Sequence, residues 1–484
     1  MNLVIPEIDL VSLGPELILS VAAMLVLLVS VFLPKGRKDP VAYLSLLGIV
    51  FALISSVVLW GKGRYAFNNM ILVDNFALFF TVVLLIASGL SILMSINYLK
   101  EEGMNHGEFY ALILFATVGM MFMAVGSNLI TIFLGLETMS ISIYVLAGFF
   151  RENLKSNESA LKYLLLGAFS SGFLLYGIAM MYGATGTTDL KGISEFLSKS
   201  AYLGDPMLLA GMGLLVVGFG FKIASVPFHM WTPDVYEGAP TSITAFMSVG
   251  VKAAAFAAFV RVFLHSLGHL QPDWNMVLWI LSVLTMTLGN VVAIAQNNIK
   301  RMLAYSSIAH AGYIMIGMVA ASELGTASIL FYMLAYTFMN LGAFGVVILY
   351  GRKGEENLDI NNYAGMGSRY PALALLMAVF MFSLAGIPPT AGFVGKFYVF
   401  SAAVKAGYIW LAIIGVMNSL VSVYYYLRVT VMIYMKEPVK ELVGLTWTPS
   451  MAIALIIAVI GTLLIGIYPS PYLDLARQSV QLFM

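Results

Sequence analysis

The chain has 484 residues, 61% hydrophobic and 10% charged, with a mean hydropathy of +0.93 and a net charge of +1. Soluble domains carry about 25% charged residues, so this is the composition of a polytopic membrane protein, and so small a net charge leaves no basic face for nucleic acid. With no cysteine in the chain, disulfides, thiolate zinc sites and cysteine-ligated iron-sulfur clusters are excluded.

A bilayer span needs about 20 mostly apolar residues. Fourteen stretches qualify: 14–33, 41–60, 75–98, 108–125, 128–150, 159–182, 206–229, 241–265, 274–296, 302–321, 325–350, 371–402, 408–434 and 449–469. The opening MNLVIPEIDL is acidic where a signal peptide needs a basic start, so span 1 is expected to be retained. The longest connection, around 183–205, reads as polar and glycine-rich. Loops after odd-numbered spans hold thirteen basic residues, Lys35, Arg37, Lys38, Lys100, Arg151, Lys155, Lys300, Arg301, Arg352, Lys353, Arg369, Lys436 and Lys440. The other side holds six, Lys62, Arg64, Lys191, Lys199, Lys405 and Arg477. Basic loops stay in the cytoplasm, so both termini are expected on the opposite side.

Six basic residues remain inside spans, Lys162, Lys222, Lys252, Arg261, Lys396 and Arg428, and Glu137 is the acid near mid-span. A charge at the bilayer centre costs at least about 2.5–3.5 kcal/mol and as a rule faces a bundle interior or water. Arg261 and Arg428 lie toward span ends, where they can snorkel to the interface. Lys162, about one turn inside span 6, can do the same or act next to Glu137. Lys222, Lys252 and Lys396 lie deeper. Buried lysines that load and release protons, with one buried carboxylate on a neighbouring span, make a proton relay in type; static ion pairs are the alternative.

Pro227 interrupts span 7, and Pro388 with Pro389 interrupts span 12. A proline removes a helical hydrogen bond, and a broken helix at membrane depth is tolerated where it packs in protein or lines a wet cavity. If spans 4–8 and 9–13 are two five-span units, each break falls in the fourth member, the pattern of an inverted-repeat transporter. His229 lies just past Pro227, and His310 sits in span 10 with Ser306, Ser307 and Tyr313 close in sequence. Imidazole titrates near neutrality and suits a relay, although a buried histidine also serves as hydrogen-bonded structure. Asp234 and Glu237 read either as a solvated turn or as a proton entrance. His265 and His269 have helical spacing beside Asp273 but too few ligands for a metal centre. PPTAGFVGKF ends in GKF and lacks the first glycine of a phosphate loop, so no nucleotide site is expected.

Three ordered blocks carry a family resemblance: FKIASVPFHMWTPDVYEGAPTSITAFMSVGVKAA, NNIKRMLAYSSIAHAGYIMIG and AGIPPTAGFVGKFYVF. They resemble the antiporter-like subunits of respiratory complex I and of Mrp-type Na+/H+ antiporters, most clearly over residues 70–435. The resemblance implies an all-α polytopic membrane protein of about fourteen transmembrane helices, with two inverted five-helix repeats and broken helices 7 and 12. The implied divisions are 1–107 with three spans, 108–265 and 274–434 as the repeats, and 435–484 with span 14. It carries Glu137 over as the partner of Lys222, Lys252 as the central lysine and Lys396 as the terminal exchange site. Lys162, His229 and His310 match supporting positions.

Within that family span 12 carries glutamate in subunit M and lysine in subunits L and N, and L continues into a lateral helix and extra spans. Lys396, in a chain that stops soon after span 14, matches the shorter lysine-bearing kind. Implied partners are an M-type subunit and small K- and J-type subunits in a bacterial inner membrane. The chain itself is expected to hold no cofactor, with NADH, FMN, iron-sulfur clusters and quinone in partner subunits. Two other readings stay open, an Mrp-type antiporter subunit and a non-pumping scaffold.

Overall fold

A computed structural model describes residues 9–34, 37–199, 204–351, 357–438 and 445–481. Lys35, Arg352, Lys353, Lys440 and both chain ends lie outside the described residues. Thirteen described helices are long and apolar enough to cross a bilayer. They are spans 1 (Gly14–Phe32), 2 (Asp39–Leu59), 3 (Asn75–Glu101), 4 (Gly107–Val125), 5 (Leu129–Ala147), 6 (Leu154–Thr185), 7 (Pro206–Ile223), 8 (Thr241–Ser266), 9 (Gly268–Ile294), 10 (Ile299–Ala320), 11 (Glu323–Tyr350), 13 (Ile409–Met435) and 14 (Pro449–Ile467). The remaining expected span, span 12, is split into Pro371–Ala385 and Ala391–Lys405.

Several spans start where a side chain meets the free amides of a first turn. Asp74 accepts from Ala77 N at 2.8 Å, Asn128 from Ile130 N at 2.9 Å, and Asn298 from Lys300 N at 2.9 Å. Two of these caps also begin matching substructures. Asn128 bridges to Asp189, and Asn298 bridges to Asp359, each as an isolated antiparallel pair. Leu129 N donates to Thr188 O (2.9 Å) and Leu190 N to Ser127 O (3.0 Å); Ile299 N donates to Leu358 O (2.7 Å) and Ile360 N to Asn297 O (2.8 Å). One sequence offset relates both pairs. At the same offset Gly119 lies against Met139 as Gly289 lies against Ala309, and a Cβ on either glycine would strike the facing backbone. Each repeat thus packs its first two spans with backbones in close approach.

The two breaks are also built alike. Span 7 ends at Ile223, with Ala224 left-handed (φ 61°) and Ser225 N bonded to Gly220 O at 2.8 Å. The first half of span 12 ends at Ala385, with Gly386 left-handed (φ 86°) and Ile387 N bonded to Phe382 O at 3.0 Å. These are Schellman-type stops, in which a left-handed residue turns the chain back onto its last carbonyls. The chain then resumes as Thr232–Gly238 after span 7 and as Ala391–Lys405 in span 12.

Span 8 is buried along its whole hydrophobic window, whereas spans 1, 2, 13 and 14 present much of theirs outward. Lys252 therefore has no route to the surface along its own helix. Three segments outside the spans are also ordered. The 183–205 segment contains a helix, Leu190–Lys199, whose Leu190, Ile193 and Leu197 are buried. Residues 470–481 form another, Ser470–Gln481, which buries Leu473, Ala476 and Val480. Arg64–Ala66 pairs with Ile71–Val73 as a hairpin between spans 2 and 3. Apolar residues spaced along one face of a short polar segment were the signal for both helices.

Candidate functional site

Lys222 occupies the last turn of span 7 and is 1% exposed. Its Nζ donates to Ser140 Oγ on span 5 at 2.8 Å and lies 5.6–5.7 Å from the rings of Tyr144, Tyr163 and Phe221. Ring faces support an ammonium where water is absent. The expected direct pair with Glu137 is replaced by the Ser140 bond, and Glu137 Oε1 is buried without a hydrogen-bond partner. Glu137 and Ser140 are three residues apart on one helix and so share a face. Both lie within reach of one flexible lysine stem. Trp231, stacked on Tyr163 at 4.3 Å, donates its indole N–H to Phe221 O, which also accepts from Ala224 N at the break.

Lys252 Nζ donates to both the carbonyl and the hydroxyl of Ser307 at 2.6 Å. Ser307 stands at the offset from Glu137 that relates the two repeats, so the second repeat presents a neutral acceptor where the first presents a carboxylate. By the same relation His310 corresponds to Ser140. His310 is 1% exposed; its Nδ1 shares a hydrogen bond with Tyr332 OH (2.7 Å) and its Nε2 one with Tyr426 OH (3.0 Å), which also meets Ser306 Oγ at 2.5 Å. Lys396 Nζ donates to Leu384 O (3.0 Å), Ala385 O (2.9 Å) and Ser419 Oγ (2.9 Å), and lies 5.1 Å from the Tyr313 ring. The break in span 12 frees those two carbonyls, and the ammonium takes the place of the amides they would otherwise meet.

Lys162 does not join Glu137. It bridges Glu158 and Asp234, each at 2.6 Å, on a half-exposed surface. Asp234 and Glu237 lie on the short Thr232–Gly238 helix, clamped by Arg301 at 2.8 and 2.9 Å, and Lys155 adds 2.8 Å to Glu237. Lys300, expected in a loop, is buried in the first turn of span 10 and donates to Ala239 O at 2.8 Å. His229 lies beside this cluster in sequence, half-buried, with Nδ1 unbonded. Asp234 and Glu237 thus make the short helix that follows the break a charged lid held by ion pairs. Arg428 stays near the surface, on Gln296 O and Asn297 Oδ1. Arg261 does not snorkel: it is fully buried and bidentate to Asp74 at 2.9 and 3.1 Å, with Nε on Ala124 O.

The lid fixes a pH and salt response. Burial alone pushes the Asp234 and Glu237 carboxyls up, but hydrogen bonds from Lys162 and Arg301 to the first, and from Lys155 and Arg301 to the second, outweigh it and hold both below their ordinary values. A depressed carboxylate contributes stability above its unfolded value, about pH 4, and loses it as pH falls through the lower folded value. The cluster therefore holds at neutral pH and loosens only in acid. At pH 7, 1 M salt shortens the screening length to about 3 Å. Amide exchange of residues 232–240 is expected to quicken about two- to fivefold on going to 1 M salt, the size of an exposed pair; unchanged exchange would mean the charges do not hold the lid.

Sequence reasoning missed Ser140 and Ser419 as partners of Lys222 and Lys396, and Tyr332 and Tyr426 as partners of His310. The run of three tyrosines, Tyr424 to Tyr426, in a membrane span was the available signal, since a buried phenol needs a partner. Among the described residues no cluster of His, Asp or Glu could hold a metal ion.

Residues 126–422 match the family described as NADH:quinone oxidoreductase/Mrp antiporter, TM. A protein of Trichlorobacter lovleyi named NADH-quinone oxidoreductase subunit N is 57% identical over 475 residues, covering 98% of each chain. Its namesake in Chloroflexus aggregans is 47% identical over 484 residues, covering 99% of each. Among solved structures, a chain of respiratory complex I from Thermus thermophilus superposes with a TM-score of 0.82 at 35% identity, covering 95% of this chain and 98% of that one. A chain of the Mrp complex from Dietzia sp. reaches 0.82 at 20% identity, a likeness of fold.

Proposed function

The chain belongs to the NADH:quinone oxidoreductase/Mrp antiporter membrane-subunit family and is a proton-pumping membrane-arm subunit of NADH-quinone oxidoreductase, and we propose that it moves protons along Lys222, Lys252, His310 and Lys396. The observation that carries this reading is that each of these groups is almost wholly buried, yet each meets hydroxyls or carbonyls rather than a fixed carboxylate. An ammonium held by neutral acceptors can give up its proton without leaving an opposite charge stranded.

Protons enter past His229 and the Asp234 lid, reach Lys222 and pass to Lys252. The switch is the Lys222 stem, which moves between Ser140 and Glu137: pairing with the carboxylate holds the charged amine, and parting from it sends the proton onward. Lys162 supports this step from the lid by holding Asp234, not by touching Glu137. From Lys252 the route runs through the hydroxyls of Ser307, Ser306, Tyr426 and Tyr332 around His310 to Lys396 and the far side. Residues 108–265 and 274–434 are the two repeats, between a three-span segment at 1–107 and a last one at 435–484.

Moving each charge against the membrane potential costs about 2.3 kcal/mol per 100 mV. That work comes from partner subunits of the complex, which hold the NADH, FMN, iron-sulfur and quinone sites. An M-type antiporter-like subunit and small K- and J-type subunits are its neighbours, in a bacterial inner membrane with both termini away from the cytoplasm. Lysine-rich traffic with one mid-span carboxylate favours protons over a metal-cation antiporter, which needs an oxygen-rich site.

The test is Lys252→Met in the complete complex, with assembly followed on a native gel. The rates of proton pumping and of quinone reduction are expected to fall together by about tenfold or more, the scale of losing a proton-transfer group. Normal turnover and pumping in assembled complex would leave the scaffold reading in its place.

A further inference from the structure

Asn290 lies on span 9, fully buried, among groups that the relay above does not use. Its Nδ2 donates to Tyr313 OH at 2.8 Å, to Met286 O of its own helix at 2.8 Å, and more weakly to Asn418 Oδ1 at 3.4 Å. Its Oδ1 accepts from Tyr425 OH at 2.9 Å. One amide therefore ties spans 9, 10 and 13 together beside Lys396, with both ends engaged. The bond to its own helix carbonyl fixes which end is nitrogen, because an oxygen there would face another acceptor.

Tyr313 links this hub to the lysine. Its hydroxyl is anchored by Asn290, while its ring lies 5.1 Å from Lys396 Nζ. We infer that Asn290 is a positioning residue for Lys396, holding the Tyr313 ring against the ammonium and so favouring the protonated lysine. This rests on the relay reading of Lys396. A side-chain amide also keeps its donor and its acceptor on different atoms, so it fixes Tyr313 and Tyr425 without passing a proton between them. Tyr425 lies beside Tyr426 with the rings tilted and their centroids 4.3 Å apart, and Tyr426 belongs to the His310 network.

Three of the elements packed on the helix of Lys396 carry titratable groups near mid-span. Span 10 brings His310 and Tyr313, span 11 Tyr332 and Tyr336, and span 13 Tyr425 and Tyr426, while Pro371–Ala385 and span 14 carry no titratable residue. None of these is a carboxylate, so loss of the ring contact has no opposite charge to compensate it.

The experiment is the pH profile of proton pumping by the complete complex in proteoliposomes. Asn290→Leu frees Tyr313, and the alkaline limb is expected to move to lower pH by about one unit, the size of a desolvated ring contact. Tyr313→Phe removes the same anchor and is expected to move it alike, with the double variant going no further than either single one. Asn290→Asp can accept from Tyr313, keeps the ring in place and adds a negative charge, so the limb moves to higher pH. Should Asn290→Leu fail to assemble, the opposite shifts of Asn290→Asp and Tyr313→Phe decide. An unmoved limb, or single shifts that add, overturns the inference. Lys396→Gln separates the two layers. If it pumps normally the relay itself fails, whereas if it abolishes pumping and the Asn290 variants move nothing, only the positioning role is lost.

Discussion

Lys222→Ala is expected to lower quinone reduction and proton pumping together, by at least about tenfold, in complex that still assembles. The amine is 1% exposed, bonded to Ser140, ringed by Tyr144, Tyr163 and Phe221, and has no route to the surface. Removing it takes out the proton-carrying amine, which Ser140 and the two phenols cannot replace because they hold their protons at neutral pH. Lys222→Arg is the sharper variant. A guanidinium keeps the charge and the ring contacts but does not release its proton in a protein. If proton transfer is the role, arginine fails as alanine does; if a fixed charge is enough, arginine restores both activities and the relay is wrong. Ser140→Ala is expected to be milder, because Glu137 Oε1 stands unbonded on the same helix face and can receive the amine. Pumping and turnover measured side by side, normalised to assembled complex on a native gel, distinguish these results.

Arg261→Met is expected to destabilise the chain by about 3–5 kcal/mol, because it leaves the Asp74 carboxylate buried without its partner. The pair is bidentate and nearly inaccessible, 1% and 4% exposed at the two side chains. Asp74 also caps span 3 through Ala77 N, and Arg261 also satisfies Ala124 O at the end of span 4. One contact thus joins the ends of spans 3, 4 and 8. The double variant Asp74→Asn with Arg261→Met keeps the cap and removes both charges, so most of the loss is expected to be recovered. Thermal unfolding and the yield of assembled complex for the two singles and the double form the cycle. Equal stability of Arg261→Met and the unaltered protein would show that the buried charges contribute nothing.

Much of this protein was legible along the chain because a bilayer leaves few options. Unbroken apolar runs of about 20 residues must be helices, since no water is present to satisfy an exposed backbone. That physics yields the spans directly, and it marks Lys222, Lys252, Lys396 and Glu137 as residues whose burial needs a reason. The breaks at Pro227 and at Pro388–Pro389 were legible for the same kind of reason, a missing amide in a helix. What sequence could not decide is which acceptor each charge meets, because that depends on the rotation and depth of helices far apart in the chain. Lys222 and Ser140, Lys252 and Ser307, and Arg261 and Asp74 are separated by 82, 55 and 187 residues. Proximity to a span end suggested that Arg261 reaches the interface, yet Asp74 at the start of span 3 and the Ala124 carbonyl at the end of span 4 hold it inside. Lys162 read as a candidate neighbour of Glu137, yet the Thr232–Gly238 helix turns Asp234 toward it. Period and hydropathy act on one helix at a time and so determined the fourteen spans; hydrogen bonding and charge pairing act across helices, and only the tertiary structure decided them.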